Sequence, residues 1–472
     1  MRSFAPRRLL ALCLLAAPGL ASAGLTPGQQ QWLKAATLKE KAGWTYLHVE
    51  GGPRERGFQH GYLLAARIAE CIRVERAAWH HESGMDWPWL VSRAGKFLVP
   101  EVDAEDRAEL DGIAEGMTAA GFPQKAEELI IYNARIELFN YWWPKEKDKL
   151  ADARDGPQPK LQSCSSFIAT GRMTADGGIV LGHNTMFDYY DAQEFVIIDI
   201  VPAKGHRILM QTAPGWIHSG TDFFVTDAGL VGSETTIGGF SGFSEVGIPE
   251  FVRMRRATQD ADGIDGWCAI MRKGNNGGYA NAWLLGDVKT GEIARLELGL
   301  KYVGFERTKD GFFIGSNIAE DLRILRLETN VDDGDIRKSS VARRVRWKQL
   351  MRENAGKIDL ARAKSMEADC YDTCLDRDNP SGHTLDGHFE RDGETAPLAG
   401  KMVPFDPSGT FDAKVIDTAM ARRMSFAARW GSADGTSFDA GAFLRAHPQF
   451  DWQEGILKSR PAEPWVDFRA GE

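Results

Sequence analysis

Beyond its first residues the sequence has no apolar run long enough to cross a bilayer, so no later segment is expected to span a membrane. Positive charge is in deficit. Lys and Arg number 57 against 66 Asp and Glu, a formal net charge of −9. That balance argues against nucleic acid as a partner and against a surface steered to anionic lipid. It leaves a lipid substrate open, because a site can be locally apolar. There is no internal repeat and no low-complexity tract, which excludes solenoid and fibrous architectures. Histidine is sparse, and neither His80-His81 nor the His383 and His388 pair has an acidic or histidine partner at a helical spacing, so no metal centre and no cofactor are expected. Cysteine is scarce too, with six in 472 residues. What remains is an ordinary globular composition, 43% hydrophobic and 26% charged, ample for a large core in one layered unit or in two or three domains.

The chain opens like an export signal. Arg2, Arg7 and Arg8 are followed by the short apolar run Leu9 to Ala17 and by the small residues Ala21-Ser22-Ala23. Residues 1–23 are therefore expected to be removed near Ala23, placing the mature protein in the periplasm or outside the cell. Cys13 leaves with the signal, and an oxidising compartment permits disulfides. Cys370 and Cys374, four apart, read as a local disulfide closing a small loop. A metal pair is the alternative, but no second ligand pair with zinc-like spacing follows. Cys71 and Cys268 fall in amphipathic helical patterns and read as buried small apolar residues. That leaves Cys164.

Organisation changes sharply just ahead of it. Residues 24–143 read as a short helix and lead, a strand over Trp44 to Glu50, a glycine-rich turn from Gly51 to Gly61 entering a helix, and helical periodicity from Tyr62 to Ala120. Residues 144–163 are polar and aperiodic and read as an exposed linker, a candidate for excision. From residue 164 to 472 the chain is strand-rich at first. Ser165 to Thr170 and Ile179 to Gly182 flank the turn Ala175-Asp176-Gly177-Gly178, and further strands follow to Thr308. Residues 338–368 read as helices, and the rest is mixed.

A linker ending in Ser163-Cys164 and opening into a hairpin suggests chemistry. Cutting the bond between Ser163 and Cys164 would place a thiol beside its own α-amine at a sheet edge. That amine ordinarily titrates near pH 8, so it is able to take the thiol proton without a separate histidine. The same thiol can attack the carbonyl ahead of it, so that maturation and activation are one event.

The surrounding motifs resemble a known family. Cys164-Ser165-Ser166-Phe167 with Gly182-His183-Asn184-Thr185 is similar to the start of the mature β-chain in cysteine N-terminal-nucleophile hydrolases, above all the phospholipase B-like proteins. Thr221-Asp222-Phe223-Phe224, Glu234-Thr235-Thr236-Ile237-Gly238, Gly278-Tyr279-Ala280-Asn281-Ala282-Trp283 and Ser316-Asn317-Ile318 resemble later elements of that family in the same order. Gly52 to Gly57 with Gly61, Ile113 to Gly116 and Asn133 to Arg135 resemble the wider penicillin acyltransferase-type group. Related enzymes usually carry an Asn-x-Asp after the hairpin, whereas Asn184-Thr185-Met186 lacks that Asp.

The resemblance implies an α+β fold, a four-layer αββα sandwich with antiparallel sheets. It implies Cys164 as nucleophile, His183 near the amine or thiol, and Asn281 as oxyanion donor. Thr235, Thr236, Asn317 and Trp283 would line a substrate site. It also implies a near-counterpart of the Cys370 and Cys374 pair. The expected function is an exported, self-processing hydrolase of fatty-acyl phospholipid esters acting through a Cys164 thioester on a small-molecule or lipid substrate. An N-acyl amide hydrolase or acyltransferase is the first alternative, and a non-catalytic binding protein on the same fold is the second.

Overall fold

Two antiparallel sheets stack face to face and are covered on both outer sides by helices. The computed structural model describes residues 24–150, 164–395 and 403–472. The larger sheet runs in the order β1 (Thr37–Lys41), β2 (Trp44–Gly51), β5 (Val196–Pro202), β6 (Ile208–Thr212), β7 (Phe223–Thr226), β8 (Leu230–Thr236), β9 (Asn281–Asp287), β10 (Glu292–Leu298) and β11 (Val303–Thr308). The second runs β12 (Gly311–Gly315), β3 (Ser165–Thr170), β4 (Val180–Asp188), β15 (Ser408–Asp417), β16 (Ser425–Trp430) and β17 (Val466–Arg469). A short hairpin, β13 (Tyr371–Asp372) and β14 (Arg377–Asp378), stands apart. Within the two large sheets all pairings are antiparallel except β2 with β5.

The sheets meet through small and apolar side chains. Ser166 Oγ lies 2.7 Å from Ser233 Oγ, and Phe223 packs edge-on against Phe426 at 5.1 Å. Because β3, β8 and β9 are covered on both faces, they are buried along their whole length. The outer face of the larger sheet carries the Ile264–Arg272 helix, whose Trp267 meets Trp283 of β9 at 4.9 Å. The outer face of the second sheet carries the Ser339–Glu353 helix, whose Trp347 packs on Phe167 and donates from Nε1 to Ser165 Oγ at 2.9 Å. Each such buried aromatic contributes roughly 1.5–3 kcal/mol through area removed from water. The architecture is the expected four-layer αββα sandwich.

The turn expected from Gly51 to Gly61 ends early. A helix already begins at Pro53 and runs to Leu63, so Gly57 and Gly61 lie inside it. They serve close packing against the Ala104–Ala119 helix. A methyl at Gly57 would sit 2.1 Å from the Glu109 carbonyl oxygen and one at Gly61 2.1 Å from that of Ile113. Gly112 and Gly116 make the same approach from the other side. Glu109, 2% exposed, is held there by Arg56 at 2.6 Å and Arg255 at 2.9 Å.

Two expectations for the 144–163 and 370–374 segments need restating. Trp143–Lys147 is a helical turn, anchored by the Arg93–Glu146 ion pair, while residues 151–163 lie outside the described residues. Cys370 and Cys374 are not disulfide-bonded. The reason is orientation: Cys370 turns toward Asp386, His388 and Asp434, and Cys374 toward Asp372 and His383. Folding thus supplies these two histidines with partners that linear spacing did not reveal.

Candidate active site at Cys164

Cys164 precedes β3 directly and is 1% exposed. Side chains alternate along β3, and Ser166, two residues on, faces the larger sheet. Ser165 faces the opposite way, onto Trp347. The strand therefore directs Cys164 to the space between the sheets. Ser163, the residue on the other side of the expected cut, lies outside the described residues.

A chain of buried hydrogen bonds fixes this position. Arg343, 0% exposed, donates from Nη1 to the Cys164 carbonyl at 2.7 Å and from Nη2 to Asn317 Oδ1 at 2.7 Å. Asn317 Nδ2 in turn donates to the Thr236 carbonyl at 2.8 Å. Thr236 pairs with Asn281 across β8 and β9. The structure thus brings Cys164, Asn317, Thr236 and Asn281 into one connected region. Asn281 is fully buried, and neither its Nδ2 nor its Oδ1 has a hydrogen-bond partner. A buried amide left wholly unpaired is uncommon and calls for an explanation.

Acidic groups form the second part. Tyr279 Oη donates to Glu234 Oε2 at 2.9 Å and lies 3.1 Å from Asp222 Oδ2, while Thr236 Oγ1 donates to Tyr279 Oη at 3.1 Å. Burial raises the Asp222 carboxyl to about 6. Burial and the neighbouring Asp222 charge push Glu234 well above the carboxylate range. The two carboxyls therefore titrate as a pair that retains a proton near neutral pH. Asp222 and Asn317 both adopt left-handed backbone, at φ 71° and 66°. Such conformations are strained for most side chains and concentrate at functional sites.

Burial pushes the Cys164 thiol up to about 12, and the Asp222 charge adds to the rise. A hydrogen bond from the Met186 backbone amide and the positive charges of Lys414 and Arg343 oppose the shift without cancelling it. In the uncut chain the thiol is thus largely protonated at neutral pH.

His183 sits opposite Ser166 on β4, with Nε2 3.0 Å from the Glu234 carbonyl and Nδ1 3.5 Å from Thr185 Oγ1. The carbonyl accepts only from a protonated Nε2, and burial holds the imidazole neutral by drawing its pKa well down. Lys414 of β15, opposite His183, is fully buried and donates to Thr185, Gln211 and Asp412. Thr235 faces the second sheet against Gly315, and its Oγ1 is unpaired. Trp283 is placed apart from this group, packed against Trp267 and Phe224 on the helix side.

Sequence reasoning did not assign roles to Arg343, Asp222, Glu234, Tyr279 or Lys414. Asp222, Glu234 and Tyr279 stand inside motifs that resembled the family, which was the available signal. Arg343 and Lys414 carried none, being two among 57 basic residues.

A cysteine opens an inner strand of an αββα sandwich, the architecture that the sequence resemblance implied. Residues 108–303 match the family model described as Phospholipase B. It is 30% identical over 217 residues to phospholipase B-like protein C of Dictyostelium discoideum, covering 41% of this chain and 38% of that protein. It is 28% identical over 144 residues to putative phospholipase B-like 2 of Bos taurus, covering 27% and 24%. An uncharacterized protein of Archaeoglobus fulgidus is 25% identical over 252 residues, covering 52% and 41%. The matches span about two fifths or less of these relatives' own length. Among solved structures, a variant of conjugated bile acid hydrolase from Clostridium perfringens overlaps 56% of this chain and 89% of its own, with a TM-score of 0.36 and 12% identity.

Proposed function

We propose that the protein is an acyl hydrolase that cuts itself ahead of Cys164 and then uses the Cys164 thiol as its nucleophile. The observation that carries this reading is the position of Cys164, at the mouth of an inner strand with its carbonyl held by Arg343 and an unpaired Asn281 amide in the same connected region.

The chemistry follows from the residue types. In the precursor the thiol attacks the Ser163 carbonyl, its proton passing to a nearby base. The peptide bond gives way to a thioester as the Cys164 nitrogen becomes an amine. Water then hydrolyses that thioester, releasing the Ser163 carboxylate and a free thiol beside a free α-amine. In the mature site the amine takes the thiol proton, the sulfur adds to a substrate acyl carbon, and the charge on the acyl oxygen is met by an amide donor, the role assigned to Asn281. The leaving oxygen or nitrogen recovers the proton, and water releases the acid. His183, a neutral ring anchored on Glu234, acts by orientation and not as the base.

The substrate is read as a fatty-acyl ester of a phospholipid, in keeping with the family match. The export signal at residues 1–23 lies outside the described residues, and no helix among the described residues is long and apolar enough to cross a membrane. The chain is proposed to act in the periplasm or outside the cell.

The test is intact-mass measurement of the purified chain beside Cys164→Ala. Two fragments from the wild type, one beginning at Cys164, and a single chain from the variant are expected. A single chain from both sinks self-processing. Phospholipids and N-acyl amino acids offered to the processed protein then separate ester from amide hydrolysis, and turnover of neither favours a binding protein.

A further inference from the structure

The Cys370, Asp386, His388 and Asp434 group lies outside the site just described and is built like a coordination sphere. One ligand atom from each residue falls within 4.8 Å of all the others. His388 Nε2 lies 3.5 Å from Asp386 Oδ2 and 3.6 Å from Asp434 Oδ2. These separations are too long for good hydrogen bonds. They do match the edge of a tetrahedron around an ion with bonds of about 2.0–2.3 Å, which is roughly 3.3–3.8 Å. His388 is 0% exposed, and its Nε2 has no hydrogen-bond partner.

The outer contacts fit the same reading. His388 Nδ1 is 3.0 Å from Glu390 Oε1, and Glu390 Oε2 accepts from Tyr189 Oη at 2.9 Å. A carboxylate on Nδ1 fixes the proton there and leaves the Nε2 lone pair facing the group, the arrangement found behind metal-bound histidines. Asp386 is oriented by the backbone amides of Ala433 and Asp434 at 3.2 and 2.7 Å. Asp434 is oriented by Ser432 and Thr436. Asp434 is also the least buried of the four, so an ion can enter from its side.

We propose that Cys370, Asp386, His388 and Asp434 bind one zinc ion in a closed, structural site. One sulfur, one nitrogen and two oxygens suit zinc in a tetrahedron with no position left for water. Binding takes a thiolate, so Cys370 gives up its proton to solvent as the sulfur–zinc bond forms. The ion would tie the loop after β14 to the turn after β16. Asn184 of β4 donates to the Leu385 carbonyl at 2.8 Å, so this clamp also steadies the strand that carries His183.

The test uses the full purified chain. Metal analysis should give about one zinc per chain, retained through gel filtration, as a closed four-ligand site requires. Replacing zinc with cobalt should give tetrahedral absorption with a sulfur-to-cobalt band, and Cys370→Ser should remove that band. Asp434→Asn should weaken zinc retention at least tenfold, while Cys268→Ala should leave it unchanged. Chelation should lower the Tm by several degrees and zinc should restore it. Substoichiometric metal after incubation with zinc overturns the proposal, leaving an imidazolium paired with carboxylates. So does a Cys370–Cys374 disulfide found by peptide mapping of the native chain. If Cys370→Ser does not fold, the cobalt spectrum and the metal content of the wild type decide.

Discussion

Arg343 reaches across 179 residues of sequence to donate a 2.7 Å hydrogen bond to the Cys164 carbonyl. Its guanidinium is fully buried, and the other arm holds Asn317. Replacing it with Ala leaves two buried acceptors without donors and should cost about 3 kcal/mol. Arg343→Lys keeps the charge but cannot span both acceptors, and the displaced Cys164 should slow self-cleavage by about 10²-fold. Time courses on denaturing gels measure this, and a Lys variant that processes at the wild-type rate refutes the positioning role.

Asp222 sets an expectation for pH. Burial raises its carboxyl to about 6, so the carboxylate form is populated above that value and lost below it. As proton acceptor for the uncut thiol, Asp222 should make processing accelerate as pH rises through about 6. Asp222→Asn should flatten that limb and lower the rate above it by about 10²-fold. An unchanged profile in the variant assigns the base elsewhere.

Asn281 allows the cleanest separation of stability from catalysis. Its buried amide makes no hydrogen bond that Asn281→Ala would break, so the urea midpoint should move little. Turnover should fall by about 10²–10³-fold in kcat, the loss typical of one oxyanion donor. A variant that unfolds earlier yet keeps its kcat marks Asn281 as a packing residue.

Asp199 joins the sheet to the chain's end. It is fully buried and accepts from Tyr46, Arg207 and Gly471, with His48 Nδ1 2.7 Å away. Burial opposes its ionisation, but the hydrogen bonds from Arg207 and His48 prevail and hold its pKa at about 2. A depressed carboxyl stabilises the fold above its unfolded value near 4, and that contribution disappears as pH falls through about 2. Asp199→Asn should cost about 3 kcal/mol at pH 6. The gap from wild type in denaturant melts should narrow below pH 4, and a gap constant with pH refutes the ionic account.

The helix crossing makes the last prediction. Gly61→Ala or Gly116→Ala forces a methyl to within 2.1–2.3 Å of backbone carbonyl oxygens, which cannot move aside as a side chain can. Destabilisation should exceed the usual overpacking cost of about 1–3 kcal/mol. Gly121→Ala, in open space but at φ 89°, should cost only backbone strain of about 1 kcal/mol. Thermal melts of the three variants should fall in that order.

The strands from Ser165 to Thr308 were legible because β-branched and aromatic residues cluster between turn signals. The three strands after residue 403 were not. β15 turns Asp412 and Lys414 inward, so a buried ion pair occupies the positions where apolar residues would have announced a strand. The edge strand β1 was also missed, since Thr37–Lys41 is largely exposed and mostly polar. Cys164 could be singled out from its neighbours in sequence. Asn317 was marked by its motif, but Arg343 and Asp222, which act on Cys164 directly, meet it only once the layers pack. The Cys370 and Cys374 pair shows the same limit. A spacing of four suggested a bond between them, whereas the loop turns each thiol to different neighbours.

The parallel register of β2 with β5 places the segment before Cys164 inside the larger sheet, with Trp44 and Leu47 wholly buried. A chain cut ahead of Cys164 therefore becomes an obligate heterodimer whose halves share one sheet. Its melting point should rise with protein concentration, as for any two-body assembly, while that of the uncut Cys164→Ala chain should not. Recovery from denaturant should likewise change from a first-order to a second-order process, so that maturation exchanges reversible folding for kinetic persistence.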